Sequence, residues 1–188
     1  MISAIKAVGI FLAVSSLLVI YLPELPGVGR LFYPLLYKDV IVAQAKAYNL
    51  DPLFVAAVIR QESGFRPHAR SAVGAVGLMQ LMPDTGRWAS TKVGMKGFQV
   101  DQLEDPATNI RLGCWYLGYL FGQFKEPDKV LMAYNGGEGN VSSWQGQAGE
   151  QLAYAYPETQ TYVGATMRAY QRYKALYQDE MPTRVTHP

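Results

Sequence analysis

The stretch DPLFVAAVIRQESGF, residues 51–65, predicts a short helix with clear signals at both ends. Asp51 followed by Pro52 is typical of a helix start, because aspartate accepts hydrogen bonds from free backbone amides and proline suits the first turn. Gly64 is a stop signal. We therefore expect a helix over residues 52–63 that is apolar along most of its length.

One acidic residue, Glu62, lies in the last turn of this predicted helix. It follows Val55 and Ile59 at helical spacing, so its side chain projects from the apolar stripe. Burial disfavours the charged form of a carboxylate, and the negative end of the helix dipole repels it, so both effects raise the pKa of Glu62. A glutamate that keeps its proton near neutral pH is suited to general acid catalysis. The alternative is a solvent-facing Glu62 that forms a surface ion pair with Arg60 or Arg66.

The composition is typical of one globular domain of moderate charge. The chain has 188 residues, of which 49% are hydrophobic and 17% are charged, and its net charge is +2. That charge, without any cluster of Lys and Arg, does not predict a nucleic-acid partner. The single cysteine, Cys114, is expected to be a small buried hydrophobe. His68 and His187 have no second ligand at metal spacing, so we expect neither a metal nor a cofactor.

Residues 1–22 predict a signal anchor or a signal peptide. The basic Lys6 precedes residues 7–22, which carry no charge. This length lies between that of a signal-peptide core and that of a membrane span. Because no A-x-A cleavage site follows, we favour an uncleaved anchor, which would leave the domain on the extracytoplasmic face of the cytoplasmic membrane. Residues 23–36, rich in Pro and Gly, are expected to form a tether.

Nearly all of the chain after residue 36 has the pattern of helices, so the predicted fold class is mostly α. Residues 66–76 are rich in Pro, Gly and Ser and predict a loop. No strand alternation of any length is visible. Besides the helix over residues 52–63, helices are expected over residues 37–48, 84–91, 105–124, 128–135 and 158–178.

Four separated segments combine polar and apolar residues in a way that is typical of a binding groove. They are ES at 62–63, GLMQLMP at 77–83, AYN at 133–135 and ETQTYV at 158–163. Polar groups such as Gln80, Asn135 and Ser63 cost free energy in apolar surroundings unless they are hydrogen-bonded, and a bound sugar or peptide would supply those bonds. Aromatic rings suit the CH face of a sugar. The aromatic candidates are Tyr134, Tyr162, Trp88 and Trp144.

Taken together, these segments resemble the soluble lytic transglycosylase family, bacterial peptidoglycan-cleaving enzymes with a goose-lysozyme-like α fold. The motifs ESGF at 62–65, GLMQLMP at 77–83, AYN at 133–135 and ETxxYV at 158–163 appear in the order and spacing of the family. The resemblance covers residues 38–177. It implies a single lysozyme-like catalytic domain over residues 37–178, followed by a C-terminal tail over residues 179–188.

The resemblance implies cleavage of the β-1,4 bond between N-acetylmuramic acid and N-acetylglucosamine, leaving a 1,6-anhydromuramyl end. By analogy, Glu62 is the catalytic residue, which protonates the leaving oxygen and then takes the proton of the muramyl 6-hydroxyl. One carboxylate suffices because the acetamido group of the sugar stabilises positive charge and the attacking hydroxyl is intramolecular. The resemblance also implies a set of substrate-binding residues, namely Ser63, Met79, Gln80, Tyr134, Asn135, Glu158 and Tyr162.

Two alternatives stay open at this point. A lysozyme-type muramidase on the same fold would hydrolyse the same bond and would need a second carboxylate. The available acids are Asp101, Glu104, Asp105 and Glu138. A non-catalytic peptidoglycan-binding protein would keep the aromatic residues but has no need of a buried acid. The expected partners are peptidoglycan glycan strands and, through the N-terminal segment, the membrane, and the chain is expected to be a monomer.

Overall fold

The computed structural model describes residues 26–137, 139 and 157–181. The chain divides into two units, Met1–Leu35 and Leu36–Pro188. In the first unit, helix α1 (Pro26–Phe32) lies within the predicted tether, where no helix was expected. The predicted anchor over residues 1–22 lies outside the described residues. Within the described part of the chain, no helix has the length and apolar character needed to cross a membrane.

The described part of the second unit is built from α-helices, which confirms the mostly α fold class. In chain order they are α2 (Lys38–Ala47), α3 (Pro52–Ser63), α4 (Pro83–Lys92), α5 (Pro106–Phe124), α6 (Pro127–Gly136) and α7 (Pro157–Tyr177). Each lies within one residue of its expected bounds. Helix α6 begins at Pro127 with Glu126 as N-cap, one residue before the expected start at Asp128. Two 3₁₀ helices, Val100–Glu104 and Gln178–Glu180, were not predicted.

Helix α3 is surrounded by the rest of this unit and packs most extensively on α7. The side chain of Asp51 accepts a hydrogen bond of 2.7 Å from the amide of Leu53, and Gly64 ends the helix with φ of 60°. Both predicted end signals are therefore confirmed. Every residue from position 52 to 59 is buried, so the helix is apolar on all sides and not only along a stripe. Its last turn alone reaches the surface, and that turn carries Glu62.

Helix α5 is buried along the apolar stripe expected from its sequence. The stripe includes Ile110, Leu117, Leu120, Phe121 and Phe124. Cys114 lies on the same side and is fully buried, and burial raises the pKa of its thiol. It is the small buried hydrophobe that was predicted.

Residues 64–82 connect α3 to α4 without a helix, as the loop composition of residues 66–76 predicts. Val76 forms isolated bridges with Arg70 on one side and Leu81 on the other, which folds the segment back on itself. This loop carries the GLMQLMP motif and lies against the end of α3 that holds Glu62.

Candidate active site

Glu62 is half-buried, and it is held by a tyrosine from the last long helix. Its Oε1 accepts a hydrogen bond of 2.6 Å from the hydroxyl of Tyr162, which is buried on α7. The two residues are 100 positions apart in sequence, so the packing of α7 on α3 brings them together. Because Oε1 accepts the hydrogen bond from Tyr162, the proton of the neutral Glu62 carboxyl group is placed on the other oxygen, Oε2.

Burial raises the pKa of Glu62 from 4.5 to about 7. The hydrogen bond from Tyr162 acts in the opposite direction, because it stabilises the carboxylate, but desolvation is the larger effect. The predicted upward shift is thus confirmed, with desolvation as its main cause. Both protonation states of Glu62 are populated at neutral pH. Arg66, one of the arginines considered as an ion-pair partner, donates through its Nε to the carbonyl of Ser63 at 2.8 Å.

A second tyrosine from α6 belongs to the same cluster. The hydroxyl of Tyr134 donates a hydrogen bond of 2.8 Å to the carbonyl oxygen of Met79. Burial, followed by the nearby charge of Glu62, raises the pKa of both Tyr134 and Tyr162 well above 10. Both phenols therefore remain protonated hydrogen-bond donors over the pH range in which Glu62 titrates.

Ser63 and Met79 were expected to line the groove, and the structure places both side chains below the surface, 2% and 0% exposed. The hydroxyl of Ser63 lies 2.7 Å from the carbonyl oxygen of Leu78 and 3.2 Å from that of Ile59. The Met79 side chain packs so tightly on Gly113 that a Cβ at this glycine would overlap its sulfur. Ser63 thus ties the GLMQLMP loop to α3, and Met79 packs the same loop on α5.

Gln80 is half-buried, and the NH₂ group of its side chain is hydrogen-bonded to the backbone of the loop that contains it. Its Nε2 donates to the carbonyl oxygens of Ala69 at 3.0 Å and Gly77 at 2.9 Å. Its φ of 46° is uncommon for a residue with a side chain, and such strained positions often occur at functional sites. Asn135, near the end of α6, and Glu158, at the start of α7, are exposed.

An open pocket of about 340 Å³ lies beside Tyr162. This size is at the lower end of the range for ligand pockets. The pocket brings Glu158 next to the tyrosine that holds Glu62, so these two predicted site residues share one surface. The lining residues are Gln61, Pro157, Glu158, Thr161 and Tyr162.

Asn109 is a supporting residue that the sequence analysis missed. It is fully buried on α5, and its Oδ1 accepts a hydrogen bond of 2.7 Å from the amide of Met79. Its Nδ2 donates to the carbonyl oxygens of Val76 at 3.0 Å and Leu103 at 2.8 Å. Gly77, with φ of 83°, passes so close that a Cβ there would overlap the Asn109 amide. The sequence offered one signal for this role, which is an amide side chain next to the apolar stripe of α5.

Two of the acids considered as a second carboxylate, Glu104 and Asp105, are engaged elsewhere in the structure. Glu104 accepts a hydrogen bond of 2.9 Å from Arg70 and lies 3.1 Å from the His68 ring, and these contacts lower its pKa. Asp105 caps α5 by accepting from the Thr108 amide at 2.8 Å. Asp101 is exposed on the 3₁₀ helix, whereas Glu138 lies outside the described residues, as does the aromatic candidate Trp144.

Comparison with known proteins gives consistent matches to one family. The family model for the transglycosylase SLT domain matches residues 39–157. The chain is 32% identical over 161 residues to the soluble lytic murein transglycosylase of Escherichia coli, a match that covers 80% of this chain and 25% of that protein. It is 38% identical over 103 residues to the endo-type membrane-bound lytic murein transglycosylase A of Klebsiella pneumoniae, covering 50% of this chain and 51% of that protein.

A solved structure agrees with these matches. The lytic transglycosylase of Pseudomonas aeruginosa, crystallised as an inactive mutant with a glutamate replaced by glutamine, superposes with a TM-score of 0.73 at 32% identity. The match covers 83% of this chain and 26% of that chain. The chain thus spans about a quarter of the length of its soluble relatives. With the family model matching well over half of its residues, the chain belongs to the transglycosylase SLT domain family.

Proposed function

We propose that this chain is a peptidoglycan lytic transglycosylase. It cleaves the β-1,4 bond between N-acetylmuramic acid and N-acetylglucosamine and leaves a 1,6-anhydromuramyl end. Family membership supports the reaction class, since the relatives described above are lytic transglycosylases. The observation that carries the proposal is Glu62 itself, half-buried, held by Tyr162 and with a pKa raised to about 7.

Glu62 serves as acid and then as base. In its protonated form it donates a proton to the glycosidic oxygen, and the bond from this oxygen to the anomeric carbon of the muramic acid breaks. The positive charge that develops is stabilised by the acetamido group of the same sugar. The muramyl 6-hydroxyl then bonds to the anomeric carbon and gives its proton to the Glu62 carboxylate. No water is consumed, and Glu62 returns to its protonated form.

A pKa near neutrality suits both halves of this cycle, because the acid must release its proton readily and regain it in the second step. Tyr162 stabilises the carboxylate form of Glu62 that exists between the two steps, since its hydroxyl donates to Oε1 of Glu62. It also fixes the direction of the carboxyl group, so that the other oxygen transfers the proton. Tyr162 is therefore a positioning residue for Glu62 as well as a wall of the adjacent pocket.

The predicted substrate-binding residues divide into two groups in this proposal. Tyr134 and Asn135 lie toward the reacting acetamido group, and Glu158 contacts the glycan or its stem peptide from the rim of the pocket beside Tyr162. Ser63, Met79 and Gln80 act mainly through the backbone of the loop that they hold in place. Asn109 of α5 supports the same loop through its hydrogen bond with the Met79 amide.

We further propose that the site, in a catalytic domain over residues 37–178, works as a monomer outside the cytoplasmic membrane and is anchored by residues 1–22. The support is the uncharged run over residues 7–22 and the membrane-bound description of one relative. Extraction of cell membranes at alkaline pH, which removes peripheral proteins, should leave the full-length chain in the membrane. Release of the chain, or a mature N-terminus after residue 22, would contradict the anchor.

Mass spectrometry of the products released from purified peptidoglycan sacculi tests the reaction directly. The account predicts products whose muramic ends are lighter than reducing ends by one water. Glu62→Gln should release none, whereas the matched exchange Glu104→Gln should release the same products as the unaltered protein. Reducing ends would identify a muramidase. Binding to sacculi without any release would identify the non-catalytic alternative.

A further inference from the structure

Three aromatic side chains lie on the face of α5 that points away from its buried stripe. They are Trp115, Tyr116 and Tyr119, and each is half-buried. At about 100° per residue, they occupy the side of the helix opposite Ile110 and Phe121. Leu112, on the same side, is fully buried, so this face is also packed, yet each of the three rings stays partly exposed and can contact a ligand.

These rings form an ordered row with Trp88 of α4. The Tyr119 ring lies at 18° to that of Trp115 and at 12° to that of Tyr116, with centroids 5.8 and 6.4 Å apart. Trp88 meets all three nearly perpendicularly, at 83°, 76° and 89°, with centroid distances of 4.8, 6.1 and 4.9 Å. Edge-to-face contacts of this kind are favourable and hold the rings in fixed orientations. The row is therefore organised before any ligand binds.

The aromatic row is continuous with the candidate active site. The Tyr116 ring lies 5.4 Å from that of Tyr134. Tyr134 in turn donates to the Met79 carbonyl and lies close enough to Glu62 for the charge of Glu62 to act on its hydroxyl. A ligand that extends from Glu62 past Tyr134 would thus meet the row next.

The chemistry of the row suits sugar rings better than a membrane surface. Tryptophan and tyrosine combine a flat apolar face with a polar tip, as a pyranose combines a CH face with a hydroxyl rim. Membrane-surface helices add cationic side chains to their aromatic residues. Near the row, Arg87 pairs with Asp84 at 2.9 Å, and Arg111 donates to the carbonyl of Val93 at 2.9 Å. These two arginines are engaged within the protein, which leaves the exposed Lys92, one turn after Trp88, as the remaining cation of α4.

We propose that Trp88, Trp115, Tyr116 and Tyr119 form a stacking platform for sugar rings of the glycan strand that lie beyond the two rings joined by the cleaved bond. The inference rests on the proposed function, since the platform extends the same groove. It adds binding energy along the strand, so it favours long glycans over short ones.

Tryptophan fluorescence tests the platform without turnover. The sequence contains three tryptophans, so Trp144→Phe leaves only Trp88 and Trp115 as reporters. In a protein that also carries Glu62→Gln, titration with peptide-free glycan strands should change the emission in a saturable way. Strand binding that is detected by calorimetry without any emission change would overturn the platform, as would a change caused by anionic phospholipid vesicles and not by glycans.

Kinetics on the active protein provide a second, separate test. Trp115→Ala should raise KM for long glycan strands at least about threefold, the loss expected for one stacking contact, while kcat is retained. Trp115→Phe keeps a ring and should lie much closer to the unaltered protein. The matched control is Phe32→Ala, which removes a ring 53% exposed in the other unit and should change neither constant.

The two proposals fail in different ways. An unchanged KM in Trp115→Ala, in protein that still produces anhydro ends, would overturn the platform and leave the reaction intact. Emission changes with glycan strands in a protein that never cleaves them would support the platform and refute the reaction. Thermal unfolding of each variant establishes that the comparison is between folded proteins.

Discussion

The hydroxyl of Tyr162 donates a hydrogen bond of 2.6 Å to Glu62, at the end of α3 that reaches the surface. A matching contact lies at the other end of α3, where the hydroxyl of Tyr170 donates to Asp51 at 2.7 Å. Helix α7 is therefore joined to both ends of α3 and runs in the opposite direction. The position of the proposed acid depends on how α7 docks, although the two helices are far apart in sequence.

Tyr162→Phe should impair the acid and shift its titration. Loss of one hydrogen bond to a charged group corresponds to roughly a tenfold lower cleavage rate. Because Tyr162 stabilises the carboxylate, its removal should also raise the pKa of Glu62, so the fall of kcat/KM on the alkaline side should move to higher pH. A purely structural role for Tyr162 would lower the amount of folded protein and leave the pH profile in place.

Glu62→Gln should make the protein more stable above neutral pH. The folded pKa of about 7 exceeds the ordinary value of 4.5, so the folded state binds more protons between these values and loses stability as pH rises through them. At about 1.4 kcal/mol per pKa unit, the free energy of unfolding should rise by up to about 3 kcal/mol in the variant at pH 8 and be nearly unchanged at pH 4. Urea unfolding at both pH values measures this. Equal stability of the two proteins at pH 8 would contradict the desolvation of Glu62.

Tyr170→Phe should destabilise the protein without altering the pH profile of cleavage. The exchange leaves one oxygen of the buried Asp51 without its tyrosine donor, while the cap to Leu53 remains. We expect a loss of about 1–3 kcal/mol in the free energy of unfolding. An unchanged urea midpoint would show that this contact contributes nothing to the docking of α7.

Asn109→Leu should be more damaging, because three buried hydrogen bonds to the backbone are lost at once, and only the Val76 carbonyl keeps another donor, the Leu81 amide. We expect the free energy of unfolding to fall by about 3 kcal/mol or more. Gln123→Leu, on the exposed side of α5, is the matched control and should stay within about 0.5 kcal/mol of the unaltered protein. A loss no larger than that of the control would remove Asn109 from the support of the GLMQLMP loop.

Sequence reasoning located the helices because their ends and apolar faces are local signals. Asp51, Pro52 and Gly64 bound α3 in the way that their preferences predict. The 3₁₀ helix Val100–Glu104 was missed because five residues carry no apolar period. The site was predictable only in part. The upward pKa shift of Glu62 follows from local position, whereas the burial of Ser63 depends on how distant segments pack.

The same limit explains what was missed on α5. The role of Asn109 depends on a loop that is some 30 residues away in sequence, and a single amide beside an apolar stripe does not reveal its partners. The aromatic row likewise requires α4 to lie across α5, which brings Trp88 onto Trp115. Sequence identifies aromatic residues as candidates, and only their arrangement in space indicates a common surface.

The central claim is that Glu62 keeps its proton near neutral pH because it is desolvated, and this makes it the acid of the reaction. An NMR titration of the side-chain carboxyl carbon, with the Glu62 signal identified by its absence in Glu62→Gln, measures this property directly. The account predicts a midpoint near 7. A midpoint near 4.5, the ordinary value for a glutamate, would contradict it.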